Sequence, residues 1–260
     1  MGFAGKTTLV TGSSRGIGAA IALELGKRGS NVTVNCNSAT EQADAVAESI
    51  REAGAQSLVV KADVSDQSAV ESMVEQTVAK FGRLDYCISN AVYSDRDLLE
   101  NSDMDGFRRT VDVSMWGAFY SLRAAALQMI RQGDGGSIVI VSSPHAVIPF
   151  PAAMAYNMSK AAIDQMARTA AIELARHKIR VNIFHPGWID TPGERKFFTE
   201  EQIQREAKEL PLNRMGTPEE MANGVCFLLG EEAAYMTGST LTMDGGVSLP
   251  WWSDRESGGQ

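Results

Sequence analysis

The feature that most constrains the fold of this 260-residue chain is a regular alternation of short apolar segments with longer amphipathic ones. The short segments predict β-strands at residues 7–11, 31–35, 57–61, 84–89, 137–142, 179–184 and 239–243. The longer segments predict helices at about 16–26, 41–53, 67–81, 105–131, 156–174 and 219–229. Strictly alternating strands and helices form a parallel sheet with right-handed crossovers. The sequence therefore predicts an α/β fold in a single domain, with a doubly wound parallel sheet of about seven strands and helices on both faces.

Composition argues against several classes of partner. The net charge of −8 and the pI near 5.0 disfavour nucleic acid and anionic membranes. No apolar run approaches the roughly 18 residues of a membrane span, and the polar start after five residues predicts no signal peptide. Three widely spaced cysteines (Cys36, Cys87 and Cys226) have no metal-binding or redox spacing. We expect a soluble cytoplasmic protein with no metal site.

Residues 11–18, Thr-Gly-Ser-Ser-Arg-Gly-Ile-Gly, join the first predicted strand to the first helix. Glycines there let the backbone turn tightly and approach a pyrophosphate, which the helix N-terminus attracts. The spacing is G-x-x-x-G-x-G, which differs from the general G-x-G-x-x-G fingerprint. A tight turn without a ligand is the alternative, and the position between a strand and a helix favours phosphate binding.

Tyr156 and Lys160 are four residues apart in a segment with helical periodicity, so they share one helix face. A nearby ammonium favours a phenolate, and at about 4 Å with an effective dielectric near 20 the attraction is roughly 4 kcal/mol. That energy predicts a phenol pKa lowered from about 10 towards 7. The pair is a candidate general acid and base, although such pairs are usually surface neighbours.

With these motifs, the chain resembles the short-chain dehydrogenase/reductase family over essentially all of residues 5–248. The resemblance implies a Rossmann-type fold and an NAD(P)-dependent oxidoreductase that interconverts an alcohol and a carbonyl. The matching motifs are residues 11–18, Asp63-Val64, Ser89-Asn90-Ala91, Ser143 thirteen residues before Tyr156, Tyr156-x-x-x-Lys160, Pro186-Gly187-x-Ile189-x-Thr191 and Met243-Asp244-Gly245-Gly246.

The resemblance implies a role for each matched residue. Tyr156 would exchange a proton with the substrate oxygen, Ser143 would hydrogen-bond the same oxygen, and Lys160 would lower the pKa of Tyr156 and bind the ribose. The implied cofactor contacts are Gly12, Ser14, Arg15, Gly16, Ile17, Gly18, Asn37, Ser38, Asp63, Val64, Asn90, Ala91, Tyr156, Lys160, Pro186, Gly187, Ile189 and Thr191.

The end of the second strand bears on the choice between NAD and NADP. The position that carries an Asp in NAD enzymes of this type is Cys36 here. Asn37 and Ser38 follow as hydrogen-bond donors, and Arg15 suits a phosphate. We therefore predict a preference for NADP(H), with use of NAD(H) also open.

Two positions depart from the family pattern. Ser114 stands where the family usually places a catalytic Asn, and its hydroxyl is expected to bond back within its own helix and bend it. We expect a modified proton relay rather than an inactive enzyme. Val92 replaces a usual Gly, either tightening the substrate pocket or packing against the next loop.

The substrate is not written in a motif. We predict a pocket formed by Ser143, His145, Met154 and Trp188, a lid at about 190–212, and a C-terminal tail at 249–260 whose Pro250-Trp251-Trp252 packs on a neighbouring subunit. The resemblance implies a homotetramer or homodimer. A small ketone, sugar or polyol is favoured as the small-molecule substrate. Reduction of a 3-oxoacyl thioester on an acyl carrier protein, and a catalytically weak dinucleotide-sensing protein, stay open as alternatives.

Overall fold

A computed structural model describes residues 2–249, so the predicted Pro250-Trp251-Trp252 contact lies outside the described residues. The strands are β1 (Thr7–Val10), β2 (Asn31–Cys36), β3 (Ser57–Lys61), β4 (Tyr86–Ser89), β5 (Gly136–Val141), β6 (Ile179–Pro186) and β7 (Thr240–Met243). The helices are α1 (Gly16–Lys27), α2 (Thr40–Glu52), α3 (Gln67–Phe81), α4 (Met104–Val111), α5 (Gly117–Gln132), α6 (Met154–Leu174), α7 (Glu200–Ala207) and α8 (Pro218–Leu229). Within residues 2–249, no helix combines the length and apolar character that crossing a bilayer requires.

All seven strands pair in parallel, in the order β3-β2-β1-β4-β5-β6-β7. The chain begins in the middle of the sheet at β1, winds outward through β2 to β3, and then returns to β4 on the other side of β1. The winding direction therefore reverses between β1 and β4, which opens a crevice at the carboxyl ends of these strands. The predicted fold class is confirmed.

Each face of the sheet is buried in its own apolar core. Adjacent residues of one strand point to opposite faces, so Val10 joins the core beneath α1, α2 and α8, whereas Leu9 joins the core beneath α3, α5 and α6. Ile88 and Cys87 divide between the same two cores. Burial on both faces explains why the strands appear in the sequence as continuous apolar runs.

The predicted helix at 105–131 is interrupted in the structure. A wider π-helical turn at Asp112–Trp116 separates α4 from α5. The Ser114 hydroxyl in this turn donates to the Tyr93 carbonyl at 2.6 Å and accepts from the Tyr93 N–H at 3.1 Å. The prediction that this hydroxyl bonds back within its own helix is wrong, because the loop after β4 presents a backbone donor and acceptor to it. The turn thus ties the helix to that loop.

The predicted lid segment contains secondary structure that the sequence analysis did not specify. A 3₁₀ turn covers Glu194–Lys196, and α7 follows it. The helix begins with a capping box, in which Thr199 and Gln202 satisfy each other's backbone N–H groups. Ile203 is the buried residue of α7, so a single apolar side chain anchors this short amphipathic helix.

Candidate active site

A cleft of about 490 Å³ opens at the carboxyl edge of the sheet, at the reversal between β1 and β4. The structure brings the residues that follow β1, β2, β4, β5 and β6 together around it. Ser143 and Tyr156 line the cleft, as do sixteen of the predicted cofactor contacts: Gly12, Ser14, Arg15, Gly16, Ile17, Gly18, Asn37, Ser38, Asp63, Val64, Asn90, Ala91, Pro186, Gly187, Ile189 and Thr191.

Glycines are required at the turn between β1 and α1 for two reasons. Gly12 and Gly16 have φ values of +63° and +58°, in the left-handed region that side chains disfavour. A Cβ at Gly12 would lie 2.7 Å from Cα of Ala91, and one at Gly18 would lie 2.4 Å from the Gly12 carbonyl oxygen. Larger residues would therefore push this turn away from the loop after β4 and from the first turn of α1.

Hydrogen bonds from neighbouring strands hold the turn in place. The Gly12 N–H donates to the Asn35 side chain at 3.0 Å, and the Asn90 amide donates to the carbonyls of Thr11 and Gly12 at 2.9 and 3.1 Å. The Thr11 hydroxyl accepts from the N–H groups of Asn90 and Ala91. The Asn90 contacts link the ends of β1 and β4, so the floor of the cleft is fixed before any ligand binds.

The N-terminus of α1 is available to an anion. Arg15 occupies the N-cap with an extended backbone, and its side chain makes no capping hydrogen bond to the first turn. Gly16 and Ile17, whose N–H groups begin the helix, line the cleft. Free N–H groups and the positive end of the helix dipole suit a pyrophosphate. The residues present therefore fit the phosphates of a dinucleotide.

The opposite end of the cleft carries a fixed acidic side chain. Asp63 accepts a hydrogen bond from Arg109 at 2.7 Å and two more from Ser65. Partial burial acts to raise the pKa of Asp63, but the hydrogen bonds and the Arg109 charge outweigh it and lower the pKa below its ordinary value. Asn37 and Ser38 are exposed beside this end, and residues 36–39 include no carboxylate.

Ser143 and Tyr156 form the polar centre of the cleft. Ser143 lies two residues beyond the end of β5, and both side chains line the cleft, where Ser143 acts to lower the pKa of Tyr156. Burial is the largest influence on the phenol and raises the pKa of Tyr156 to about 12, against the lowering effects of Ser143 and the Arg96 charge. The phenol is therefore protonated at neutral pH.

Lys160 does not act on Tyr156 as the sequence spacing predicts. Its Nζ lies 5.3 Å from the centre of the Tyr156 ring and donates to the Val141 carbonyl at 2.8 Å. The side chain is 3% exposed, and burial lowers the pKa of Lys160 to about 8, with the Asp164 charge raising it in part. The prediction of a phenol pKa near 7 is wrong for this geometry, because burial raises the pKa of Tyr156 and the charge that acts on Lys160 is that of Asp164.

A second buried polar pair lies behind Lys160. Asp164, one helical turn further along α6, accepts from Nε2 of His185 at 2.9 Å, and both residues are buried. Arg168 approaches the same carboxylate at 3.5 Å from the surface. Asp164 therefore has a partner on either side, and its charge favours the protonated form of Lys160.

Four other predicted site residues lie outside the lining of the cleft. Ser114 is buried against Tyr93. His145 stacks on Phe150 with ring centres 4.0 Å apart and meets Tyr156 edge-on at 5.1 Å. Met154 is 42% exposed and lines a separate, smaller cavity, and Trp188 donates its indole N–H to Glu194 at 2.9 Å.

The structure adds residues to the cleft that the sequence analysis missed. They come from the loop after β4, from α4 and from the lid segment: Tyr93, Ser94, Arg96, Arg109, Pro192, Gly193, Glu194, Lys196 and Phe197. Val92 also lines the cleft and is 51% exposed. No motif marks these positions, because they reach the site through loops whose course the sequence does not reveal.

The chain is similar to known proteins over almost its whole length. A family model described as enoyl-(acyl carrier protein) reductase matches residues 12–248. Glucose 1-dehydrogenase 2 of Bacillus subtilis is 37% identical over 246 residues, covering 94% of this chain and 95% of that protein. L-rhamnose 1-dehydrogenase (NAD(P)(+)) of a Sphingomonas species is 37% identical over 245 residues, covering 94% and 96%. A short-chain type dehydrogenase/reductase from Mycobacterium marinum superposes with a TM-score of 0.91 at 32% identity, covering 96% of this chain and 98% of that one.

The burial of Lys160 predicts that replacing it stabilises the protein. Its pKa of about 8 in the folded protein, against 10.5 ordinarily, corresponds to a cost of roughly 3 kcal/mol at pH 7. Lys160→Met removes this cost and loses one hydrogen bond worth about 1 kcal/mol. We expect the melting temperature at pH 7 to rise by several degrees, roughly 2–4 °C per kcal/mol.

The stability gained by Lys160→Met should depend on pH in a defined direction. Between pH 8 and 10.5 the unfolded wild type binds more protons than the folded one, so its stability rises with pH and the advantage of Lys160→Met shrinks. Lys80→Met, a change at an exposed lysine of α3, serves as the control and should give no such gain. A Lys160→Met protein that melts below the wild type at pH 7 would contradict the account.

Proposed function

The chain belongs to the short-chain dehydrogenase/reductase family, and we propose that it interconverts an alcohol and a carbonyl in a small ketone, sugar or polyol, preferring NADP(H). It is an oxidoreductase that acts on CH–OH groups with a nicotinamide cofactor. The observation that carries the proposal is that Ser143 and Tyr156 line one cleft together with the uncapped N-terminus of α1. The names of the glucose and rhamnose dehydrogenases support a sugar or polyol.

The cofactor is held by residues at the carboxyl edge of the sheet. The first turn of α1 would bind the pyrophosphate, Asp63 and Val64 would border the adenine, Asn90 and Ala91 the ribose, and residues 186–191 the nicotinamide carboxamide. When bound, the nicotinamide supplies or accepts the hydride. The remaining chemistry belongs to the side chains of this chain.

Tyr156 is the proposed proton donor during reduction. Because burial raises its pKa to about 12, the phenol holds its proton at neutral pH and can transfer it to the substrate oxygen. Ser143 would donate a hydrogen bond to the same oxygen and so polarise the carbonyl. The direction favoured by this protonation state is reduction of the carbonyl.

Lys160 and Ser114 have supporting roles in the proposal. Lys160 would bind the ribose hydroxyls with protons that the Val141 carbonyl leaves free, since an ammonium has three. Ser114 would act as a positioning residue, because it holds Tyr93 through both backbone groups and Tyr93 lines the cleft. Its role therefore differs from that of the Asn at this position in the family.

The substrate would lie between Tyr156, the loop after β4 and the lid at 190–212. Val92 is exposed to the cleft, which favours its reading as a residue that narrows the pocket. His145 packs beside Tyr156, and Trp188 is held by Glu194. We keep both as pocket residues in this proposal. Met154 lines the separate, smaller cavity instead of this cleft.

We further propose a cytoplasmic homotetramer or homodimer that assembles through α5 and α6. Large apolar side chains are exposed on these two helices: Phe119, Leu127, Met158 and Ile172, together with Trp116 in the adjoining π turn. Burying them against a second copy would remove this apolar area from water. Sedimentation equilibrium of the full chain should give more than one subunit.

Turnover is tested with Tyr156→Phe, which removes only the hydroxyl. NADPH oxidation at 340 nm against a panel of ketones and sugars should fall by at least about a hundredfold, since proton transfer from a positioned group contributes about 10²–10⁴-fold. NADPH affinity should change little, because the other contacts remain. Tyr86→Phe, at a partly buried tyrosine of β4, is the matched control and should retain activity. Tight NADPH binding without turnover by the wild type on any substrate would contradict the proposal and favour a dinucleotide sensor.

Cofactor preference is tested by the ratio of kcat/KM for NADPH and NADH. We expect the wild type to favour NADPH, because residues 36–39 carry no acidic charge beside Arg15. Asn37→Asp adds a negative charge at the exposed end of β2 and should lower kcat/KM for NADPH by about tenfold, the effect of roughly 1.4 kcal/mol, while sparing NADH. Asn101→Asp, outside the cleft, controls for the added charge. A clear NADH advantage in the wild type would rule the preference out.

A further inference from the structure

Arg96 is a charged residue of the cleft that the proposed mechanism does not use. Arg96 lies in the loop after β4 and lines the cleft with Ser143 and Tyr156. Its charge acts on both Tyr156 and His145, lowering the pKa of each alongside larger effects of burial. The guanidinium is therefore close to the group proposed to donate the proton, although no motif in the sequence marks it.

Arg96 lacks an ionic partner within the protein. Among residues 2–249, no carboxylate forms a salt bridge with it, and its buried Nε makes no hydrogen bond. Arg109, another arginine of the cleft, pairs with Asp63 at 2.7 Å. A buried donor without a partner is costly, by about 1–3 kcal/mol, so its presence in a binding cleft calls for a ligand.

The acidic residues near Arg96 form no salt bridge with it. Asp95 and Asp97, its neighbours in sequence, line the separate small cavity with Met154. Glu194, on the lid side of the cleft, accepts the hydrogen bond from the Trp188 indole. None of these three carboxylates forms a salt bridge with the guanidinium. An anion on the substrate would therefore meet a guanidinium whose hydrogen-bond donors are not taken up by a carboxylate of the described residues.

The Phe197 ring orients Arg96. The Arg96 guanidinium carbon lies 4.2 Å from the centre of this ring, which belongs to the lid segment. A guanidinium can stack its face on an aromatic ring while its edge donates two parallel hydrogen bonds to a carboxylate or phosphate. Phe197 occupies the face, so the edge remains for a ligand.

We propose that Arg96 binds an anionic group, a carboxylate or a phosphate, on the carbonyl substrate of this enzyme. This inference rests on the proposed oxidoreductase function and narrows its substrate to a keto acid, a sugar acid or a phosphorylated ketone or sugar, together with the corresponding alcohols. Arg96 is a specificity-determining residue in this account. Binding of the anion would also join the loop after β4 to the lid through the Arg96–Phe197 stack.

Matched substrate pairs test the proposal by comparing an anion with a neutral analogue. Acetoacetate against methyl acetoacetate probes a carboxylate, and dihydroxyacetone phosphate against dihydroxyacetone probes a phosphate. We expect wild-type kcat/KM to favour one anion over its neutral partner by at least about tenfold, because a charge-assisted bidentate contact is worth roughly 1.5–3 kcal/mol. The pair that shows the preference identifies the anion.

Arg96→Gln should abolish that preference, so that the ratio of kcat/KM for the anion to kcat/KM for its neutral partner falls to about one, chiefly through a higher KM for the anion. Arg108→Gln removes the same charge from an exposed pair with Asp105 outside the cleft and should leave the preference intact. Lys196→Gln removes the other unassigned cation of the cleft. Equal wild-type kcat/KM within both pairs, or a preference abolished by Lys196→Gln and kept by Arg96→Gln, would overturn the proposal.

Calorimetry separates this inference from the proposed function. Acetoacetate and dihydroxyacetone phosphate are titrated into the wild type and Arg96→Gln in the presence of NADP⁺, which cannot reduce them. At least one anion should bind the wild type about tenfold more tightly than the variant, whether or not turnover is seen. Equal affinities would refute the role of Arg96. Absence of all turnover, with the affinity difference intact, would count against the oxidoreductase proposal alone.

Discussion

The burial of Lys160 at the carboxyl end of β5 is the constraint on which the site depends. Its ammonium donates to the Val141 carbonyl, and Asp164 supplies a negative charge one turn away. Burial still lowers the pKa of Lys160 to about 8, so the fold carries a destabilised cation next to the cleft. A well-packed apolar side chain at this position would make the folded protein more stable. The presence of a buried lysine that lowers the stability is therefore typical of a functional site.

The topology of the sheet explains why these groups meet. Ser143 follows β5, Asn90 follows β4 and Gly12 follows β1, and these three strands are neighbours. A parallel sheet places all their carboxyl ends at one edge, and α6 then crosses that edge with Tyr156 and Lys160 on the same face. The turn after β1 is held by the Asn90 and Asn35 hydrogen bonds. Much of the remaining lining comes from the loop after β4 and from residues 191–197, and proteins of one fold differ most in such loops.

The fold was predictable because strand and helix periodicity is a local property of the sequence. The meeting of the motif residues at one edge of the sheet was predictable for a related reason, since most of them lie just after strands. The protonation of Tyr156 could not be predicted, because its pKa is set mainly by burial, which depends on distant parts of the chain. The π turn at Asp112–Trp116 was also not predicted. Its Ser114 side chain bonds to Tyr93, which is 21 residues away in the sequence, and local patterns do not show such a contact. Arg96 could not be predicted as a site residue, because the feature that distinguishes it is a buried Nε without a hydrogen-bond partner, and only the tertiary structure shows this.

We expect burial, and not the Lys160 charge, to set the protonation of Tyr156 in the cofactor-free protein. The most direct measurement is a pH titration of protein labelled with ¹³Cζ-tyrosine, followed by NMR, with Tyr156→Phe used to assign the signal. The account predicts that the Tyr156 signal stays in the phenol form above pH 10 and titrates with a pKa of about 12. A Tyr156 pKa below 10, the ordinary value for tyrosine, would contradict it and restore the Lys160 attraction as the dominant effect.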